Sequence, residues 1–289
     1  MAARAKTTKR ETSILVLGGS GRPGSLIAKQ LTDSGAHART ASRHGSDVVF
    51  DWDDSETYAS VLRGVDRVYL VTPTMRVRYI DPVARFLDLA EAAGVSHVTL
   101  LSTYNGDRAP QDVDVAAVEV QVANRGGFTH TILRPAWVMQ NFADEHLPIV
   151  GGLLIVPSGG GAEAFVDARD IAEVAVETLL SPNEHAGATY SLAGPEAMTF
   201  DEIARTIAAV SGRPVKYQDI DQETWINGAI AAGVSADYAE MLRWLTGSIM
   251  AGKGSTPTGD IGTVIGRPAT SFEAFAQRNA AIWTKQEGK

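Results

Sequence analysis

Cysteine is absent from the chain. Disulfides, thiol nucleophiles and cysteine-ligated metals are thereby excluded, and the fold is indifferent to the redox state of its compartment. The six histidines, at 37, 44, 97, 130, 146 and 185, are scattered and show no His-Glu-x-x-His or comparable ligand spacing, so no metal site is expected. A Gly-x-Ser-x-Gly elbow is also missing, which argues against hydrolase chemistry. Lys and Arg number 26 against 34 Asp and Glu, a formal charge of −8; a nucleic-acid surface would need clustered cations, so no nucleic-acid partner is expected. No apolar run reaches membrane-spanning length and no secretory segment is evident, so the expectation is a cytoplasmic protein with no membrane partner. Residues 1–11 carry Arg4, Lys6, Lys9 and Arg10 without an apolar stretch and read as a disordered tail.

What the chain does have is glycine in a telling place. Residues 13–24 read Ser-Ile-Leu-Val-Leu-Gly-Gly-Ser-Gly-Arg-Pro-Gly, an apolar strand that breaks into a tight turn and opens a helix. Two registers fit, Gly19-x-Gly21-x-x-Gly24 and Gly18-x-x-Gly21-x-x-Gly24. Glycine lets backbone approach a pyrophosphate, and the free N–H groups of a helix N-terminus favour its negative charge. Pro23 suits the first helical turn, where its missing N–H is no loss. The alternative is a plain strand–helix turn, but the strand before it and the helix after it are the context a dinucleotide site requires. A branched side chain at Gly21 would fill the phosphate's place and disfavour a glycine backbone.

An acid about 20 residues beyond the glycines would hold the ribose hydroxyls of NAD. None occurs between Asp33 and Asp47, where Ser42-Arg43-His44 stands instead. The Arg43 guanidinium could accept a 2′-phosphate through paired N–H donors, so NADPH is the expected cofactor; the other reading is a solvated surface arginine.

Strand and helix signals alternate through the first half: strands over 37–41, 48–50, 68–71, 98–101 and 129–133, and helices near 81–93 and 113–124. That alternation predicts an α/β, Rossmann-like, doubly wound parallel sheet with helices on both faces. Ligands then gather at the carboxyl ends of the strands: Gly18–Gly24, Ser42-Arg43, Asp51-Trp52, Thr72-Pro73, Ser102-Thr103-Tyr104 and Arg134-Pro135. A helix over 168–180 and a strand over 189–192 return to the sheet, and helices follow over 200–211, 224–233 and 236–246. The expected division is a dinucleotide-binding domain over 12–136, completed by 164–195, and a smaller, mostly helical substrate-binding lobe from 137–163 and 196–289.

These residues resemble the NmrA-like branch of the atypical short-chain dehydrogenase/reductases. The likeness rests on Gly-Gly-Ser-Gly-Arg-Pro-Gly, on Leu101-Ser102-Thr103, on residues 131–142 (Thr-Ile-Leu-Arg-Pro-Ala-Trp-Val-Met-Gln-Asn-Phe) and on residues 165–172 (Phe-Val-Asp-Ala-Arg-Asp-Ile-Ala). Val49-Phe50-Asp51-Trp52-Asp53 and residues 64–71 look most like the clavine (festuclavine or agroclavine) dehydrogenases of ergot alkaloid pathways. The resemblance implies that Gly18, Ser20, Gly21, Arg22, Pro23 and Gly24 hold the pyrophosphate and Arg43 the 2′-phosphate. It further implies that Asp51 and Trp52 flank the adenine, and that Val71, Thr72 and Pro73 line the ribose and nicotinamide path, with Ser102 and Trp137 nearby.

One departure bears on the chemistry. Typical short-chain dehydrogenases protonate a carbonyl oxygen with a Tyr-x-x-x-Lys pair, and the only near match here is Tyr104-x-x-x-Arg108. Arginine does not deprotonate, so it cannot relay the proton. An iminium ion, already cationic, takes hydride to become a neutral amine and needs no proton. The expectation is therefore an NADPH-dependent reductase of an iminium or conjugated small molecule, a monomer or homodimer. Ser102 and Tyr104 would orient the reactants rather than act as acid. Trp137 and Phe142 would form substrate walls, with Asp107, Asp144 or Asp167 as anions beside the cation; the aromatics could equally be core. Two other readings stay open, a quinone or dye reductase on the same scaffold and a non-catalytic NADP-sensing regulator.

Overall fold

The computed structural model describes residues 11–144 and 146–284; the expected basic tail, apart from Glu11, lies outside them. Six strands, β1 (Ser13–Leu17), β2 (His37–Ser42), β3 (Val48–Val49), β4 (Arg67–Val71), β5 (His97–Leu101) and β6 (Thr129–Pro135), alternate with helices α1 (Arg22–Asp33), α2 (Glu56–Val61), α3 (Ile80–Ala92) and α4 (Val115–Ala123). Three short strands follow, β7 (Ile149–Val150), β8 (Leu153–Ile155) and β9 (Ala162–Glu163), then α5 (Ala168–Leu180) and β10 (Ala188–Leu192). The chain continues through β11 (Met198–Thr199), α6 (Phe200–Ser211), β12 (Lys216–Gln218), α7 (Gln222–Ala231), α8 (Ala236–Met250), α9 (Asp260–Ile265) and α10 (Phe272–Thr284).

The main sheet has seven strands in the order β10-β6-β5-β4-β1-β2-β3, and every neighbouring pair runs parallel. β1, Ser-Ile-Leu-Val-Leu, is buried along its whole length, because a parallel sheet is covered on both faces by its own crossover helices. Leu15, Leu17, Leu70 and Leu100 pack on one face with Phe86 and Leu87 of α3, while Ile14 and Val16 pack on the other with Ile27 and Leu31 of α1 and Ile171 and Val174 of α5. Strand order reverses between β1 and β4, where such sheets open a ligand crevice.

A third apolar cluster holds Phe142, Phe165, Phe200, Phe272, Phe275 and Trp283, with ring pairs mostly edge to face, such as Phe142 and Phe165 at 5.0 Å. Beside it, β7, β8 and β12 form a three-stranded sheet. Helix boundaries follow their caps. Thr199 and Glu202 close a reciprocal capping box on α6, and Gly212 ends that helix in the left-handed region. Asp167 caps α5 and is fully buried, held by Arg278 and Gln140. Asp170, also buried, accepts from Arg267 at 2.7 Å and from the Thr270 amide at 2.6 Å. The closing segment thus pins the start of α5 to the rest.

Under the sheet, His97 is enclosed by hydroxyls: Thr129 Oγ1 lies 2.9 Å from its Nδ1 and Thr99 Oγ1 lies 3.2 Å from its Nε2. Burial, with the Arg67 charge second, drives its pKa down to about 4, so the folded ring stays neutral where an unfolded one is charged. The unfolded chain therefore binds the extra proton between about pH 6.5 and pH 4, and stability falls as pH falls through that window. Urea unfolding at pH 7.5 and 4.5 is expected to show wild type losing on the order of 2–3 kcal/mol more than His97→Gln.

Candidate functional site

The glycine turn joins β1 to α1 beside the point where strand order reverses. Gly18 has φ +68°, a conformation only glycine adopts without strain. A side chain at Gly24 would run into the Gly18 carbonyl oxygen, so the first turn of α1 sits directly on the loop. Gly21 has ordinary extended backbone, φ −79° and ψ 173°, which corrects the expectation of a glycine-only geometry there. What it contributes is a close approach: a Cβ there would lie 3.1 Å from the Gly18 carbonyl oxygen, so glycine keeps the N-cap tight against the loop and free of a side chain. The amides of Ser20, Arg22 and Gly24 have no hydrogen-bond partner among the described residues, and Pro23 has no N–H to satisfy. This is a cradle for an anion, formed by backbone donors at a helix N-terminus.

Ser20 Oγ donates to Ser42 Oγ at 3.0 Å, which ties the turn to the end of β2, just before the loop that carries Arg43. Arg43 stands exposed on that loop and makes no ion pair among the described residues. Asp47, the first acid after the helix, is turned away to Thr40, accepting from its amide at 2.9 Å and its hydroxyl at 2.8 Å. Those bonds hold its carboxyl below the usual range. Asp51 accepts from the Asp53 amide within its own turn. Half-buried Trp52 stacks edge-on against Phe50 at 4.9 Å and Phe86 at 5.6 Å, so its ring belongs partly to the core.

Beyond the turn, the ends of β4 and β5 open into a cavity of about 420 Å³. Val71, Thr72 and Pro73 line it, as does Ser102; Tyr79 of the loop before α3, Met75, His146, and Tyr238 and Met241 of α8 complete much of the wall. Met75 is held at φ +60°, an uncommon conformation for a side chain of that size. Burial pushes the Tyr79 phenol up to about 12.

Ser102 Oγ donates its hydrogen to Glu119 Oε1 at 2.5 Å. Glu119, buried on α4, is gripped by Arg134, whose Nε reaches the same oxygen at 3.0 Å and whose Nη2 reaches the other. Arg134 also meets Asp107 at 3.2 Å. The Ser102 hydroxyl therefore presents its lone pairs, not its proton, to the cavity. Arg134 stands among the expected strand ends but without a role, and Glu119 is absent from the expected site. Glu119 is the lone charged residue on a mostly apolar helix, Val-Ala-Ala-Val-Glu-Val-Gln-Val-Ala, and that is the signal which marks it.

Several expected residues lie elsewhere. Phe142 is 2% exposed within the third core cluster, and its carbonyl accepts from Trp283 Nε1 at 2.9 Å; it is core, not substrate wall. Trp137 packs on the same cluster and does not line the cavity. Tyr104 turns its hydroxyl to the Thr256 amide at 3.4 Å. The three candidate anions are all engaged: Asp107 with Arg134, Asp144 with Arg22, and Asp167 with Arg278. Arg22 itself leans towards Asp144 at the mouth of the anion cradle. Among the described residues no group of His, Asp or Glu is placed to hold a metal, and no helix is long and apolar enough to cross a membrane.

Comparison with known proteins agrees with this architecture. An oxidoreductase of Bacillus subtilis (strain 168), YesF, is 32% identical over 288 residues, covering 95% of this chain and 98% of its own. The NAD(P)H azoreductase of Xenophilus azovorans is 30% identical, covering 93% and 99%, and the agroclavine dehydrogenase of Claviceps fusiformis 26%, covering 95% and 100%. Among solved structures, the triphenylmethane reductase of a Citrobacter species complexed with NADP(H) superposes with a TM-score of 0.70 at 24% identity, covering 93% and 99%. The model of the NmrA-like family matches residues 10–249. With the parallel sheet, the glycine cradle and near-complete coverage of its relatives, this chain belongs to the NmrA-like family of atypical short-chain dehydrogenase/reductases.

Proposed function

We propose that the protein is an NADPH-dependent reductase that passes hydride to a small conjugated or cationic organic acceptor, an iminium (C=N) compound being the leading class. The observation that carries this reading is the cavity at the ends of β4 and β5, with Ser102 at its wall and its proton committed to Glu119. A volume of about 420 Å³ suits a nicotinamide end together with a small acceptor. The residues fit the cofactor: unpartnered amides of Ser20, Arg22 and Gly24 would take the pyrophosphate, and Arg43 with Ser20 and Ser42 would take the 2′-phosphate. When bound, the dihydronicotinamide supplies the hydride. The protein's part is to hold acceptor and ring face to face and to exclude water.

Carbonyl reduction calls for a positioned acid, and neither Ser102 nor Tyr104 is one. A cationic acceptor removes that requirement, and the faces of Tyr79 and Tyr238 suit a delocalised cation. The named activities of the relatives, on azo compounds and agroclavine, and of the structural neighbour, on triphenylmethane dyes, are chemically of this kind, since each concerns a conjugated or nitrogen-bearing carbon skeleton. A quinone or dye reductase is the second reading, favoured by the open, aromatic-flanked cavity. An apolar chamber of this size speaks against a purely regulatory role.

Three outcomes are expected. Replacing Arg43 by Ala should weaken NADPH binding by about 1.5 kcal/mol or more, roughly tenfold, and leave NADH nearly unchanged; equal losses in a titration with both cofactors would remove the 2′-phosphate assignment. The Gly21→Val variant should fold, since its φ and ψ suit any residue and the 3.1 Å approach of a Cβ to the Gly18 carbonyl oxygen asks only a small shift of the loop, yet bind NADPH too weakly for calorimetry, because the side chain fills the anion cradle. Finally, Ser102→Ala should lower turnover of an iminium substrate less than about tenfold in steady-state assays, whereas loss of a general acid would lower it about 10²–10⁴-fold.

A further inference from the structure

Four titratable side chains line the cavity: Arg76, Tyr79, His146 and Tyr238. A guanidinium does not deprotonate, and Arg76 is fastened to both carboxylate oxygens of Asp53. Burial raises the phenols of Tyr79 and Tyr238, which makes each a poorer proton donor. His146 differs, because imidazole as a class both gives and takes protons near neutrality.

The setting of His146 is specific. Its Nδ1 lies 2.9 Å from Asp144 Oδ1, and its own backbone N–H donates to that oxygen at 2.8 Å. Asp144 is nearly enclosed, its side chain 9% exposed against 54% for His146. It is fixed from the other side by Arg22, in the first turn of α1. A carboxylate on Nδ1 makes that nitrogen the donor and orients the ring. Nε2 has no protein partner among the described residues and belongs to a ring on the cavity wall. The exposed edge of the ring lets it exchange protons with water.

We propose that His146, oriented by Asp144, donates a proton through Nε2 to acceptors in this cavity. This extends the reductase reading, on which it rests, from cationic acceptors to neutral ones of the azo class. Reduction of R–N=N–R′ to R–NH–NH–R′ takes a hydride at one nitrogen, with its electron pair, and a proton at the other. NADPH supplies the hydride and becomes NADP⁺, the imidazolium supplies the proton, and the neutral ring recovers its proton from solvent. A triphenylmethyl cation takes up hydride alone and makes no call on the histidine. The two dye types therefore report separately on hydride delivery and on proton delivery.

The test compares methyl red, an azo dye, with crystal violet, a triphenylmethane cation, under NADPH. In His146→Gln the ratio of methyl red to crystal violet turnover should fall about 100-fold or more. In His146→Ala, added imidazole should restore part of the methyl red turnover. A second readout needs no cofactor: in protein labelled with ¹⁵N-histidine, methyl red should shift the Nε2 resonance that is missing from the His146→Gln spectrum. An unchanged dye ratio, or an unshifted Nε2 resonance, overturns the role of His146. Wild type that turns over crystal violet with an unchanged ratio in the variant loses only this inference; wild type inert towards both dyes loses the reductase reading and the inference with it.

Discussion

Seven strands that all run the same way deliver their loops to one edge of the sheet, and nearly everything functional in this molecule follows from that constraint. Parallel pairing obliges each strand to be followed by a crossover, so both faces are covered and the strands become continuously apolar. The glycine turn, the Arg43 loop, Thr72-Pro73 and Ser102 are far apart in sequence. They meet because each follows the carboxyl end of a strand. The reversal of order between β1 and β4 then separates the loops that rise on either side and leaves room between them.

Among the described residues, charge is arranged so that the cavity lining holds no free carboxylate. Removing a carboxylate from water is expensive unless strong donors meet it, and Glu119, Asp167 and Asp170 all meet an arginine as well as a further donor. In the first case the donor is Ser102, and that hydroxyl becomes an acceptor towards anything in the cavity. The buried pair of Glu119 and Arg134 thus selects the chemistry of a residue it only touches from behind.

Much of this was legible in the residues. The range of α5, Ala168–Leu180, and that of α6, Phe200–Ser211, are readable because Asp167, Thr199, Glu202 and Gly212 are caps whose partners are a few residues away. The central strands β1, β4 and β5 were readable for the same local reason, each a largely apolar run between breakers. The three-stranded sheet of β7, β8 and β12 was not, since strands of two or three residues carry no period and β8 pairs with a strand sixty residues on. α9 and α10 were missed as well, although Phe272, Phe275 and Ala276 of α10 keep helical spacing. In the site, the errors were tertiary. An aromatic such as Phe142 serves a core or a binding wall equally well. Whether Asp144 or Asp167 is available depends on arginines more than a hundred residues distant.

Distance along the chain also sets an order of events during synthesis. The carboxylates of Asp167 and Asp170 are fully enclosed, yet Arg278, Arg267 and Thr270 lie about a hundred residues further on. Until those residues have left the ribosome, the first turn of α5 must keep its acids in water, and α5 cannot settle fully against α1 and the sheet. α5 is therefore a late-closing element: its buried ion pairs require a loop of about a hundred residues to close, an entropic cost that purely local contacts do not meet.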